Sequence, residues 1–185
     1  YDFEVDEGLV MSGGLDACGW NIIESPLATS GSSLLYYGDP EAMNYDCGDQ
    51  VGSALSPPIT LGGSFGYELR FDLRMDTEAS AIYDILTVYA VLGDGTKSAL
   101  WTKTTLSVTE TLETKVAPLL GLAGETFQLE FEFDTIDGVV NATEGVFIDN
   151  VRVVSGCVPD LCETDLECDD LLPCTSNLCV EGACA

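Results

Sequence analysis

The stretch 126–154 constrains this chain more than any other. Its first arm, from Thr126 to Asp134, alternates without a break, with Phe127, Leu129, Phe131 and Phe133 on one face and Gln128, Glu130, Glu132 and Asp134 on the other. That period of two is the signature of a half-buried strand with one wet face. The second arm, Val146 to Val154, reads as another strand. Unbroken alternation there sets Phe147, Asp149, Val151 and Val153 on one face, so a carboxylate falls among large apolar side chains.

A carboxylate on an apolar face must be protonated, paired with a cation or bound to a metal, because an unpaired buried charge is costly. Basic partners are scarce, with six Lys and Arg against 32 Asp and Glu, and the chain has no His. A hard cation with all-oxygen ligands fits that inventory, and Ca2+ is the natural choice. The alternative is a strand-end Asp149 that accepts backbone hydrogen bonds.

A chain of 185 residues with 46% hydrophobic content can bury a substantial core and is not disordered. A formal net charge of −26 argues against nucleic acid or an anionic bilayer as partner, since both select basic surfaces. No apolar run reaches the ~18–20 residues that a membrane-spanning helix needs, so no membrane insertion is expected. The chain opens at Tyr1 without a charged and apolar leader, as when a signal peptide has been removed or the chain belongs to a longer protein.

Eight cysteines are distributed unevenly: Cys18 and Cys47 lie in residues 1–156, and Cys157, Cys162, Cys168, Cys174, Cys179 and Cys184 crowd into residues 157–185. No Cys-x2-Cys pair occurs, which speaks against a zinc site and for disulfides in an oxidising compartment, extracellular or at the cell surface. Cys18 and Cys47 then most simply pair with each other. The six later cysteines pair among themselves, and spacing does not choose among the fifteen connectivities. Apolar residues are too few in 157–185 to build a core, so this segment is a small disulfide-rich tail.

Along 1–156 strand signals recur. A short first strand is expected at Phe3 to Val5, followed by strands through Trp20 to Ile23 and Leu34 to Tyr37. Tyr67 to Met75 alternates cleanly. Ile82 to Leu92 is apolar on both faces except for Asp84, as in a central strand or the concave sheet of a jelly roll. Gly93-Asp94-Gly95 makes a hairpin turn into a strand near Lys97 to Trp101. Thr104 to Thr114, rich in Thr and Val, reads as another strand. No window holds a helical period, so the expected fold is all-β: a two-sheet antiparallel jelly-roll sandwich.

The run from Phe133 to Val153 (FDTIDGVVNATEGVFIDNVRV), with Asp2-Phe3-Glu4 and Cys18-Gly19-Trp20, resembles the MAM-like jelly-roll modules of secreted proteins. These are relatives of the sandwich domains attached to immune-inhibitor-A-type peptidases and of calcium-containing carbohydrate-binding modules. The resemblance spans roughly residues 1–156. It implies that Glu4 and Asp149 meet at a structural Ca2+; the acidic character of the segment adds Asp6. The chain departs from a MAM domain in having only Cys18 and Cys47 where four cysteines are usual. The tail resembles short cysteine-rich stalk modules in secreted proteins of myxobacteria.

Without His, Ser-His-Asp and Cys-His catalysis and His-ligated zinc are unavailable. No phosphate-cradling glycine motif occurs. Among so many acids, two carboxylates carry no signal for a glycosidase. Asp134, Asp137, Asn141 and Glu144 follow one another at intervals of three, four and three and form either a second Ca2+ site or a loop of Asx turns. Asn141-Ala142-Thr143 matches the N-glycosylation pattern. Tyr89 and Trp101 are the candidate sugar-stacking pair if both emerge on one sheet. The expected function is a non-catalytic extracellular adhesion or recognition module with structural Ca2+, contacting protein or glycan at a cell surface; the alternative is a carbohydrate-binding module attached to a polysaccharide-degrading enzyme or peptidase.

Overall fold

The strict alternation of residues 126–134 becomes the middle strand of one of two antiparallel sheets in the computed structural model. The structure describes residues 1–155 except 6, 16, 64 and 65, together with the backbone of 179–180 and 183–184. The strands are β1 (Val10–Gly13), β2 (Gly19–Glu24), β3 (Ser33–Gly38), β4 (Val51–Leu55), β5 (Ile59–Thr60), β6 (Tyr67–Asp76), β7 (Ile85–Leu92), β8 (Lys97–Thr102), β9 (Glu113–Pro118), β10 (Thr126–Asp134) and β11 (Gly145–Ser155). A two-stranded ribbon, β12 (Cys179–Val180) with β13 (Ala183–Cys184), lies in the tail. No helix occurs among the described residues.

The first sheet runs β1-β4-β10-β7-β8, with β5 also pairing β10, and the second runs β2-β3-β11-β6-β9. This is a two-sheet jelly roll. Its inner faces are the alternate residues that the sequence marks: Phe127, Leu129, Phe131 and Phe133 from β10 meet Leu69, Phe71, Leu73 and Met75 from β6 in one continuous core. Aromatic rings interlock there, with Tyr37 and Phe133 at 4.8 Å and Phe71 edge-on to Trp101 at 5.7 Å. Each ring buries a large area, and offset or edge-on contact adds to that burial.

β11 carries the most consequential departure from simple alternation. Its register to β6 jumps between Asp149, opposite Asp72, and Arg152, opposite Arg70, so one extra residue is accommodated by a bulge. Asn150 takes the left-handed conformation there, at φ 51°, which Asn tolerates well. The bulge inverts the pattern. Val146, Ile148, Val151 and Val153 face the core, whereas Phe147, Asp149, Arg152 and Val154 face outward. Asp149 therefore shares a face with Phe147 but not with Val151 and Val153, correcting the unbroken alternation expected from the sequence.

Two further expectations are corrected. Phe3 to Val5 is not a strand: Phe3 turns at φ 59° into the core, and the Glu7 carboxylate accepts the amides of Asp2 and Phe3 at 3.4 and 3.3 Å. The chain instead ties itself to β11 through Tyr1, whose carbonyl accepts the Val151 amide at 3.0 Å across the bulge. Thr104 to Leu112 is a loop, because its hydroxyls close local turns instead of leaving the backbone to a sheet: Ser107 Oγ accepts the Thr104 amide at 2.8 Å, and Thr104 Oγ1 accepts that of Leu106 at 3.3 Å. The strand starts only at Glu113.

Cys18 is bonded to Cys47, joining residues 29 apart, as the cysteine count suggested. The pairing of the tail cysteines and the boundary at residue 156 lie outside the described residues. Closing that loop restricts the unfolded chain, which in chain-entropy terms is worth about 3–4 kcal/mol. Replacing both Cys18 and Cys47 by Ser should lower the unfolding free energy by about that amount in urea titration, with the fold retained.

Candidate functional site

Asp149 lies on the outward face of β11 and is nevertheless fully buried. The β2–β3 connection, residues 25–32, folds over it. Asp149 Oδ2 accepts the backbone amides of Thr29 at 2.6 Å and Ser30 at 2.8 Å, and Oδ1 accepts the amide of Asn150 at 2.6 Å. Asp72, directly opposite on β6, is also buried and accepts Thr29 Oγ1 at 2.7 Å, Thr114 Oγ1 at 2.5 Å and Asn150 Nδ2 at 3.1 Å. Burial pushes the Asp72 carboxyl up. The hydrogen bonds from Thr114, Thr29 and Asn150, helped by the charge of Arg152, outweigh that and hold it below the usual carboxylate range.

Glu4 grips the same connection from outside. Its carboxylate accepts the amides of Ser32 and Ser33, both at 2.6 Å, and the Ser32 hydroxyl at 3.0 Å. The two backbone amides, Ser32 first, hold the Glu4 carboxyl below its ordinary range. Gly31 sits between these contacts at φ 70°, and a Cβ there would collide with the Glu4 side chain. Only glycine satisfies both conditions. The structure thus brings Glu4 and Asp149 to the two ends of one five-residue turn, 29–33, and adds Asp72, which the sequence did not single out. Asp6 lies outside the described residues.

Carboxylate oxygens are the ligands that Ca2+ takes, and at this turn those of Glu4 and Asp149 are met by backbone N–H groups. Among the described residues no Lys or Arg forms an ion pair with Glu4, Asp72 or Asp149. No three Asp, Glu, His or Cys residues gather closely enough to form a metal cluster among the described residues. The residues of the second acidic loop separate. Asp134 Oδ1 accepts the Ile136 amide at 2.9 Å and Asp137 Oδ1 that of Val139 at 2.8 Å, which are Asx turns. Glu144 pairs with Arg74 at 2.5 Å. Asn141 is 1% exposed, with Nδ2 donating to the Asp137 carbonyl at 3.1 Å, so the acceptor of the glycosylation pattern is closed within the fold.

The outward face of the β1-β4-β10-β7-β8 sheet offers a second arrangement. The register places Leu55, Glu130, Tyr89 and Ala99 in one row across four strands. Lys97 Nζ lies 2.6 Å from Glu130 and 3.2 Å from Glu132 and sits 5.3 Å from the centre of the Tyr89 ring. The Glu130 hydrogen bond, against the opposing effect of burial, raises the Lys97 ammonium above its usual range. Tyr89 is half-buried on this face. Trp101 does not join it: a bulge between Val88 and Tyr89 sets Trp101 opposite Val88, and its indole packs inward on Phe71. Only the inward phase of β8 separates the two candidates, and an extra residue in a strand leaves no mark in the hydrophobic pattern.

No protein-family model and no curated protein matches the chain. Its fold is that of a two-sheet jelly roll. Among solved structures it is similar to the enzymatically active domain of tailspike protein 4 of bacteriophage CBA120, at 14% identity and TM-score 0.56, covering 84% of this chain and 20% of that one. It is similar as well to the K1 cleaved adhesin domain of Lys-gingipain from Porphyromonas gingivalis W83, at 14% identity and TM-score 0.53, over 84% of this chain and 96% of that one. A third is the N-terminal xylanase 10B of Clostridium thermocellum, its CBM22-1-GH10 modules complexed with xylohexaose, at 14% identity and TM-score 0.50, over 85% and 28%. The chain spans about a fifth of the tailspike structure and nearly all of the adhesin domain. At such identities the likeness establishes the fold.

Asp72 makes the acid limb of stability predictable. A carboxylate whose folded value lies below its unfolded value of 3.8 stabilises the fold above that pH, and the contribution is lost as pH falls through the folded value. In Asp72→Asn, loss of hydrogen bonds to a buried charge, each about 1.5–3 kcal/mol, should lower stability at pH 7. The stability-against-pH curve of the variant below pH 4 should be flatter than the parent's, as measured by chemical denaturation across that range.

Proposed function

We propose that this chain is a non-catalytic extracellular recognition module, and that the outward face around Tyr89 takes a glycan. The observation that supports it is the row itself: a half-buried tyrosine ring on a central strand, beside Glu130, Glu132, Lys97 and Gln128, on a rigid sheet. A flat ring takes the apolar face of a sugar, and fixed polar groups around it meet the hydroxyls. Strands hold these groups more rigidly than loops would, so little ordering is needed on binding. The carboxylates of both arrangements are committed elsewhere: Glu130 and Glu132 share Lys97, and Asp72 and Asp149 hold the 29–33 turn, which leaves neither set a free acid and base pair for hydrolysis. The adhesin and xylanase neighbours are compatible with this reading, and the disulfide fits an oxidising, extracellular setting.

The same proposal includes a structural Ca2+ at the 29–33 turn, held by Glu4 and Asp149, in the manner of the MAM-like modules that the ends of the sequence resemble. A divalent ion there would offset the surplus negative charge of Glu4, Asp72 and Asp149 and join the start of the chain to β11. The cysteine-rich segment beyond residue 156 would serve as a stalk to a longer protein.

Affinity gel electrophoresis over a panel of soluble polysaccharides tests the ligand. The parent should be retarded by at least one polysaccharide, and Tyr89→Ala should weaken retention about tenfold, the scale of a central aromatic contact. Absence of retention on every polysaccharide would leave adhesion to protein in its place. The ion is tested by thermal unfolding: excess chelator should lower the midpoint, and millimolar Ca2+ should restore it, by the equivalent of about 2.7 kcal/mol at a hundredfold excess over Kd. Asp149→Ala and Glu4→Ala should abolish the Ca2+ response, and an unchanged parent midpoint on chelation would remove the ion.

A further inference from the structure

The connections 14–18, 39–50, 77–84, 103–112 and 135–144 gather at one end of the sandwich, because β1, β3, β6, β8 and β10 finish there and β2, β4, β7, β9 and β11 begin there. They are laced together. The Leu15 amide donates to Gln50 Oε1 at 2.9 Å, Thr135 N to the Gln50 carbonyl at 3.0 Å, Asp84 N to the Thr135 carbonyl at 3.3 Å, and Lys103 Nζ to the Tyr83 carbonyl at 2.9 Å. Loop 135–144 also lies backbone to backbone on loop 39–50: a Cβ on Gly138 would stand 3.1 Å from Gly48 Cα.

On this fastened platform loop 135–144 holds Ile136, Val139 and Val140 out in solvent, at 42%, 63% and 55% exposure. Ile136 and Val140 both adopt φ 66°, a left-handed conformation that β-branched residues avoid. Nothing in the interior gains from these side chains, and the backbone would relax with glycine at either position. Ile82 and Leu106 stand exposed on the adjoining connections, at 67% and 86%. The charge around them has one sign. Glu41, Asp46, Asp49 and Glu110 are exposed, whereas the one base in these connections, Lys103, is buried with Nζ on the carbonyls of Glu78 and Tyr83.

We propose that this end of the sandwich is a protein-docking surface whose occupant is a basic segment of a partner carrying apolar residues among its lysines or arginines. The apolar tip supplies contact area and the acidic rim supplies the complementary field. A second copy of the chain would meet the same negative charge and be repelled, as would an anionic bilayer. The surface is separate from the Tyr89 face, which lies on the flank of a sheet.

Calorimetric titration with a synthetic amphipathic peptide of leucine and lysine tests it, alongside the same peptide with glutamate replacing lysine. The parent should bind the lysine peptide, more weakly as salt rises, and ignore the glutamate peptide. The combined variant Ile136→Gly, Val139→Ser and Val140→Gly should bind about tenfold more weakly, the cost of removing a central contact. Its thermal midpoint should be equal to or above the parent's, because glycine accepts the left-handed backbone. Leu120→Ser, an exposed site outside these connections, should bind as the parent does. The combined variant should keep the parent's polysaccharide retention, so loss of one binding mode is distinguishable from loss of the other. Equal peptide affinity in parent and combined variant, an equal loss in Leu120→Ser, or a lowered midpoint in the combined variant would overturn the proposal.

Discussion

The burial of Asp149 is the constraint on which the rest of the molecule turns. A carboxylate removed from water needs donors on every side, and here they come from the backbone of a connection that would otherwise hang free over the outer sheet. By accepting the amides of Thr29, Ser30 and Asn150, Asp149 fixes residues 29–33, and that fixed turn in turn offers its next amides to Glu4. The bulge at Asn150 makes this possible, because it lets β11 point Asp149 outward and still return Val151 and Val153 to the core.

The scarcity of cations shapes everything else. Each positive side chain is engaged inside the fold: Lys97 lies between Glu130 and Glu132, Arg74 sits over the Phe147 ring and on Glu144, Arg70 meets Glu68, Lys115 meets Glu113, and Lys103 is buried on carbonyls. Arg152, half-buried on the outer sheet, lends its field to Asp72. What faces water is therefore overwhelmingly negative. Such a surface discriminates by sign before any contact is made, favouring cationic and neutral partners, and its long-range part is screened by salt within about 10 Å at 0.1 M.

Most of the architecture is legible because alternation and core membership are the same fact seen twice. β6 and β10 follow the period of two, β7 is apolar on both faces, and the disulfide follows from two isolated cysteines. The failures share a cause. Two bulges, at Asn150 and between Val88 and Tyr89, each shift a strand by one residue and so exchange inner for outer faces; this is why alternation alone groups Asp149 with Val151, and why Trp101 does not share the outer face with Tyr89. Strand propensity misleads at Phe3 and across residues 104–112 because capping by Glu7 and by serine and threonine hydroxyls overrides it locally. Asp72 is hidden for another reason: it sits on the wet face of a clean strand, and only the turn folded over it makes it buried. The positive φ values of Ile136 and Val140 have no sequence signal, since β-branched residues are the last expected there.

The pairing of Tyr1 with Val151 imposes an order of assembly. The first residue of the sandwich has no partner until a strand 150 residues further along has been made, and β3 and β6 likewise stay apart until β11 is placed between them. Loop-closure entropy of that range must be paid before any contact rewards it, so the chain belongs among slow, late-closing folds. Emerging from a ribosome or a translocation pore, the sandwich stays open to unfolded-chain handling until β11 is through, and then closes as a unit.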